Sequence, residues 1–413
     1  MKKSIVLIIV LGVLVRLFLA FSTFHSDIQP FYFAGEVICK GNILNLYDYL
    51  GRLPPNAPIL RIYPTYLFNY PPLVYFFLGP VSYLLSMPFS GGLMHDFIFN
   101  LPGLFGNLQL NFLLVALKIP YIPFDAAIGW LLYSFFKEPR NKLLALGFWV
   151  FNPINLFATY MMGQFDIIPT FFTVFALYFV VKKNRFLWGA FLLGLGASFK
   201  IFPFLFLIPL ALIKEKWADR LKAIGVGIGV YALTILPFLR SPGFRATALV
   251  AGQTTKSFYA ALPISGGESI IIFPFLVILF YLIFLFFTTE LEDLWERFFI
   301  MILLFFIFTH YHPQWFTWLT PFLIIDLVKS KLKHWPLILL SLISWFGLLT
   351  FFDPGLSTRL FSPIIPSLQN APGIWEVLKI NFDLNASRSI LQTLFAAVGA
   401  YYISCHFPKE RKV

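Results

Sequence analysis

Residues 2–27 read KKSIVLIIVLGVLVRLFLAFSTFHSD, and this stretch decides the fold class. A spanning helix needs about 20 mostly apolar residues. Residues 4–22 supply them, with Arg16 inside the run and Lys2 and Lys3 ahead of it, a pattern that holds the start in the cytoplasm. A basic start plus an apolar run is also the shape of a cleaved signal peptide. The length of the run and the arginine within it favour a retained helix. The rest of the chain continues the same chemistry. Of 413 residues, 59% are apolar and 12% charged, whereas a soluble globule is about 25% charged. Too little polar surface exists to coat a soluble globule, so the expectation is an all-α polytopic membrane helical bundle. Composition also excludes a coiled coil, a disulfide-stapled secreted module and a large disordered tail. Cys39 and Cys405 sit at opposite ends, which indicates neither a disulfide framework nor a cysteine metal site.

The net charge of +12 invites a nucleic-acid partner, but the charges lie in the wrong places. They cluster between apolar runs: Lys137, Arg140 and Lys142; Lys182, Lys183 and Arg185; Lys214, Lys216, Arg220 and Lys222; Lys329, Lys331 and Lys333; Lys409, Arg411 and Lys412. That pattern marks cytoplasmic loops, so no nucleic-acid partner is expected. Residues 23–71 form a long first extracytoplasmic loop, whose stretches Ile28–Ile38 and Ile59–Phe68 read as interfacial helices. Further outer loops fall at 240–269 and 353–388. Apolar segments between them give about twelve spans, within eleven to fourteen, in a single integral membrane domain covering 1–413. The stretch 72–136 does not fit strict alternation. Several segments are too short to cross alone and should be tilted or broken.

Ionisable residues at the membrane are costly and therefore informative. Asp27 follows the first span, and a carboxylate at a helix mouth beside Phe24, Phe31 and Phe33 can act as a general base for a hydroxyl. On position alone an ordinary interfacial acid is the favoured reading. Tyr70-Pro71-Pro72-Leu73 marks a helix start. Gln164 and Asp166 stand at a helix break, and Lys200 interrupts a long apolar run. Its ammonium must pair, either with a lipid phosphate or internally with Asp166. His310, His312 and Gln314 occupy an outer turn with Trp315 and Trp318. Two histidines at spacing two lack the companions of a metal site, and an imidazole hydrogen-bonded to a phosphate or sugar fits better. There is no GxxxxGK[ST] and no GxGxxG, which argues against ATP- or NAD-dependent chemistry.

Taken in order, these groups resemble the glycosyltransferase-C superfamily. The likeness is carried by Asp27, then Ala34, Gly35, Gly41 and Tyr47, Tyr70-Pro71-Pro72-Leu73, Asn152-Pro153 with Gly163-Gln164-Phe165-Asp166, Lys200 with Pro203, and Gln314-Trp315-Phe316 with Trp318. Within that superfamily the chain is most similar to polyprenol-phosphate-mannose-dependent mannosyltransferases, such as the GPI mannosyltransferase I catalytic subunit and bacterial phosphatidylinositol mannoside mannosyltransferases. The resemblance implies an extracytoplasmic active site with Asp27 as catalytic base. Substrate contacts are expected from His310, His312, Lys200, Gln164, Asp166, Gln314, Tyr70 and Arg61. It implies a polyprenyl-phosphate-linked sugar donor and a glycolipid or glycan acceptor. Some relatives carry Asp-x-Asp in the first loop; here His25 replaces the first carboxylate, so a divalent metal is not indicated. The competing class is a transporter or lipid flippase, which predicts charges deep in several helices and symmetric halves. The polar groups are instead expected at one face.

Overall fold

A computed structural model describes residues 2–249, 254–287 and 290–408. The basic cluster Lys409, Arg411 and Lys412 lies outside them. The chain is 74% helix and 2% strand. The principal helices are α1 (Lys2–Ser22), α2 (Gln29–Cys39), α3 (Pro72–Ser86), α4 (Gly91–Phe99), α5 (Leu108–Lys118), α6 (Ile122–Phe135), α7 (Pro139–Val150), α8 (Ile167–Lys183), α9 (Phe186–Ala197), α10 (Trp217–Ile235), α11 (Ile272–Phe286), α12 (Leu294–Phe308), α13 (Thr320–Lys329), α14 (Trp335–Thr350) and α15 (Leu384–Cys405).

Among the described residues, four helical segments are long and apolar enough to cross a membrane: Lys3–Ser22, Leu108–Phe135, Pro139–Met161 and Trp217–Phe238. Five shorter apolar helices, of 10–17 residues, include α3, α9, α11 and α14. The expectation of about twelve counts short and broken segments that do not reach spanning length alone. The awkward stretch 72–136 resolves into two short helices, α3 and α4, and one long helix broken at Ile119–Tyr121.

Two sequence expectations need correction. The first loop contains one true helix, α2, and one side of it is packed into the protein. Phe31, Tyr32, Phe33, Ala34 and Val37 are all buried, and α2 packs on α3 so closely that a Cβ on Gly35 would stand 2.0 Å from the Gly79 carbonyl oxygen. Only glycine permits that approach. The stretch Ile59–Phe68 forms a short 3-10 turn, Pro58–Arg61, followed by irregular chain. The second correction is the all-α description: an antiparallel ribbon pairs Ala261–Ser265 (β1) with Glu268–Ile271 (β2).

Charge is not confined to one face of the bundle either. Arg16 on α1 meets Asp125 on α6 at 2.6 Å, and Trp149, Asn155 and Tyr160 complete a buried network around that carboxylate. Lys118, Arg297 and Asp326 are also buried. The network is closed on itself, with every carboxylate oxygen of Asp125 accepting two donors.

Candidate active site

Several chain breaks converge on one cavity of about 1180 Å³. They are the residues following α1, the start of α3, the turn before α8, the turn after α9 and the turn after α12. Its polar wall carries His25, Asp27, Asn69, Tyr70, Lys200, His310, His312 and Gln314. An apolar arm continues along Phe204, Leu205, Leu249, Phe273 and Tyr281. The cavity thus joins a hydrogen-bonding chamber to a greasy slot.

Local sequence explains how Asp27 reaches this wall. α1 ends in Ser22 and Thr23, whose hydroxyls turn back onto the Phe18 and Leu19 carbonyls. The chain then makes a single 3-10 turn, Ser26–Ile28, capped by His25, whose Nδ1 accepts from the Asp27 amide at 3.3 Å. The Asp27 side chain keeps 42% of its surface open while Ile28 anchors the turn in the core. Gln164 donates from Nε2 to Asp27 Oδ2, so one carboxylate oxygen is fixed. Gly163 sets that contact, because its φ of +72° is strained for any other residue and a Cβ would press on Ile28 at 3.0 Å.

Below this turn, Lys118 ties the two segments together. Its Nζ, fully buried, donates to the carbonyls of Ala20 (3.2 Å), Thr23 (2.7 Å) and Met161 (3.4 Å). Tyr121 donates to the Gly163 carbonyl at 2.8 Å. Neither residue has a sequence signature; only the fold brings helix α5 under both the Asp27 turn and the Gln164 turn.

The Asp166–Lys200 bridge is present at 2.6 Å, so the internal partner for the lysine exists. Trp318 Nε1 donates to the same oxygen, Oδ1, at 2.7 Å, leaving Oδ2 buried without a partner. Lys200 still faces the cavity, its ammonium near the rings of Trp315 (4.9 Å), Trp318 (5.0 Å), Phe165 (5.2 Å) and Tyr70 (5.8 Å). Four aromatic faces and one carboxylate stabilise the charge without saturating it. Trp315 and Trp318 stack at 5.1 Å and 13°, Trp318 stacks in turn on Phe202 at 4.2 Å, and all three rings line the cavity. Gln314 offers a buried Oε1 with no partner.

The rings of His310 and His312 lie 5.7 Å apart, nearly perpendicular. Burial, reinforced by the nearby charge of Lys256, lowers both imidazoles, His312 to about 4. Both are neutral at physiological pH and offer an N–H donor. Tyr70 is pushed the other way, its phenol raised well above the usual range by burial and then by the charge of Asp27. It stays a hydroxyl.

Of the residues singled out in the sequence, Asp27, Tyr70, Lys200, His310, His312 and Gln314 line one cavity. Gln164 and Asp166 stand directly behind its wall, each holding a cavity residue. Arg61 is exposed on the loop and does not border the cavity. His25, which sequence reading treated as a missing carboxylate, is part of the wall and caps the Asp27 turn. Among the described residues, no group of three or more His, Cys, Asp or Glu is placed to hold a metal ion.

Comparison with known proteins returns one family. The match, to a family described as Glycosyltransferase family 87, covers residues 68–288. It therefore spans the start of α3, the Gln164–Asp166 break, Lys200 and the ribbon, and excludes Asp27 and the histidine turn. No curated protein matches the chain.

Proposed function

This chain belongs to glycosyltransferase family 87, and from that premise we propose an inverting transfer of a hexose, which we assign as mannose, from a polyprenyl-phosphate donor. The acceptor is a hydroxyl of a glycolipid or glycan, and the cavity opens on the extracytoplasmic side, consistent with basic clusters in the opposite loops. About twelve crossings follow if the short helices pair or tilt.

In this reading Asp27 takes the proton of the acceptor hydroxyl as its oxygen bonds to the anomeric carbon. The bond from that carbon to the donor phosphate breaks, and the lipid phosphate leaves with the electron pair. Attack from the face opposite the phosphate inverts the centre, so a β-linked donor yields an α-glycoside. Gln164 holds one Asp27 oxygen, leaving the other to receive the proton. The neutral imidazoles of His310 and His312 donate to the departing phosphate, and Lys200 adds charge from its aromatic cage. The stacked Trp315 and Trp318 offer the sugar a flat face. The apolar arm suits the first isoprene units.

The observation that carries this reading is the carboxylate of Asp27, oriented by Gln164, sharing one cavity with the histidine pair and an apolar stretch of wall. The test is a panel of radiolabelled polyprenyl-phosphate sugars incubated with membranes holding wild type or Asp27→Asn. Label should move to a glycolipid or glycan fraction only with the wild type. Equal transfer by both proteins refutes the assignment of the base, and transfer from a nucleotide sugar alone refutes the donor class.

A further inference from the structure

No residue of the ribbon β1–β2 lines the cavity, and the ribbon carries an unexplained apolar face. Leu262 is 58% exposed, Ile264 64% and Ile270 40%. The register pairs Leu262 with Ile270, so these two side chains share a face at the end nearest α11, while Pro263 and Ser269 take the opposite face; Ile264 is an unpaired bulge residue, and Ser265 pairs with Glu268 beside the turn. Phe258 and Tyr259, just before β1, are also exposed. A lone two-stranded ribbon is marginal in water at best. Nothing else in the described chain covers this one.

The connection to α11 indicates what does. β2 ends at Ile271 and α11 begins at Ile272, with the Ile272 amide donating to the Ala260 carbonyl at 2.9 Å. Helix α11 has no charged residue and exposes Phe275, Ile278, Leu279, Leu282 and Phe286. It is 15 residues long, a rise of about 22 Å against a hydrocarbon core of about 30 Å. The helix falls short of the bilayer, and the chain preceding it supplies apolar surface at the deficient end. The outer edges of a two-stranded ribbon cannot enter hydrocarbon, because their backbone groups would go unpaired.

We propose that the ribbon is a membrane-surface element, lying in the interface of the leaflet at the start of α11. Leu262 and Ile270, at the end nearest α11, point into the lipid, and Ser265, Glu268 and the Gly266-Gly267 turn reach water. Ser257, immediately upstream, borders the cavity, so the bilayer itself props this part of the cavity wall. The occupant is lipid, and the proposal does not depend on the sugar, donor or acceptor assigned above.

The test uses the full chain in lipid nanodiscs, with Cys39 and Cys405 replaced by serine. Single cysteines, Leu262→Cys, Ile270→Cys, Pro263→Cys and Ser269→Cys, carry an environment-sensitive fluorophore. With phosphatidylcholine spin-labelled near the headgroup, labels at 262 and 270 should lose several-fold more fluorescence than those at 263 and 269. Aqueous iodide should show the reverse order. Two outcomes overturn the proposal: four labels quenched alike by iodide, which places the ribbon in water, or labels at 262 and 270 shielded from both quenchers, which means protein covers them. All four positions are exposed, so the substitutions leave the core intact.

Discussion

Two of the buried ion pairs among the described residues, Arg16–Asp125 and Lys200–Asp166, are built to opposite ends. Around Asp125, four donors occupy both carboxylate oxygens: Arg16 and Tyr160 on Oδ2, each at 2.6 Å, Trp149 and Asn155 on Oδ1, each at 2.8 Å. Around Asp166, Lys200 and Trp318 share Oδ1, while Oδ2 accepts nothing. The first network faces only protein. The second presents its cation to the cavity and keeps spare acceptor capacity behind it. Saturation marks a joint that holds helices together; an unfinished network beside a cavity is where a ligand can complete the hydrogen bonding.

The largest expected effect comes from the open side. Asp27→Asn keeps the shape of the side chain but removes the proton acceptor, so transfer should fall about 10²–10⁴-fold with the unfolding midpoint in detergent unchanged. A matching fall in the midpoint would move Asp27 to the structural side of the comparison. Next comes Asp125→Asn, which strands the Arg16 guanidinium among buried groups. It should destabilise the fold by about 3–5 kcal/mol, read by thermal unfolding, while activity per folded molecule persists. Asp166→Asn should cost less stability than Asp125→Asn, since Lys200 borders the cavity. Equal losses would erase the contrast between the two pairs.

His312 offers a test by titration. Its folded-state pKa of about 4 lies below that of a free imidazole, about 6.5, because burial disfavours the cation. Its contribution is complete above pH about 6.5 and lost as pH falls toward 4, amounting to about 3 kcal/mol. His312→Gln should flatten the acid limb of stability in that window, measured by unfolding midpoints from pH 7 to pH 4. The smallest effect is expected from Lys200→Ala, a rise of about tenfold in donor KM, the worth of one charge-assisted contact. An unchanged KM would assign the lysine wholly to Asp166.

Much of this was legible before any coordinates. Composition and the run at residues 4–22 gave the membrane class, and the breaks at Gly163–Asp166 and His310–Gln314 stood out because polar residues interrupt apolar runs. What stayed hidden were pairings between distant segments. Arg16 was visible as an oddity, but its partner is 109 positions away, and no local period encodes that distance. Lys118 drew no reading, because nothing local shows that its ammonium reaches the carbonyls of Ala20, Thr23 and Met161. Arg61 falls outside the cavity lining, since a charge in the right loop says nothing about which way the loop turns. The ribbon escaped because its strands are only 5 and 4 residues long and a bulge at Ile264 interrupts the alternation.

Helix α1 touches the rest of the protein along a narrow seam. Gly12, Arg16 and Ala20, each four residues apart, are buried, whereas Val6, Leu7, Val10, Val13, Leu14, Leu17 and Phe18 are exposed. Gly12 faces Val150 so tightly that a Cβ would come within 2.3 Å of it. A helix docked on such a seam tolerates change very unevenly. One extra residue between Gly12 and Arg16 would rotate everything upstream by about 100°, swinging Gly12 out of register with the guanidinium. The same insertion near Ser4 should pass unnoticed, since only freely exchangeable lipid contacts would shift. The outward half of the first helix is therefore room for drift, and the inward stripe is its keel.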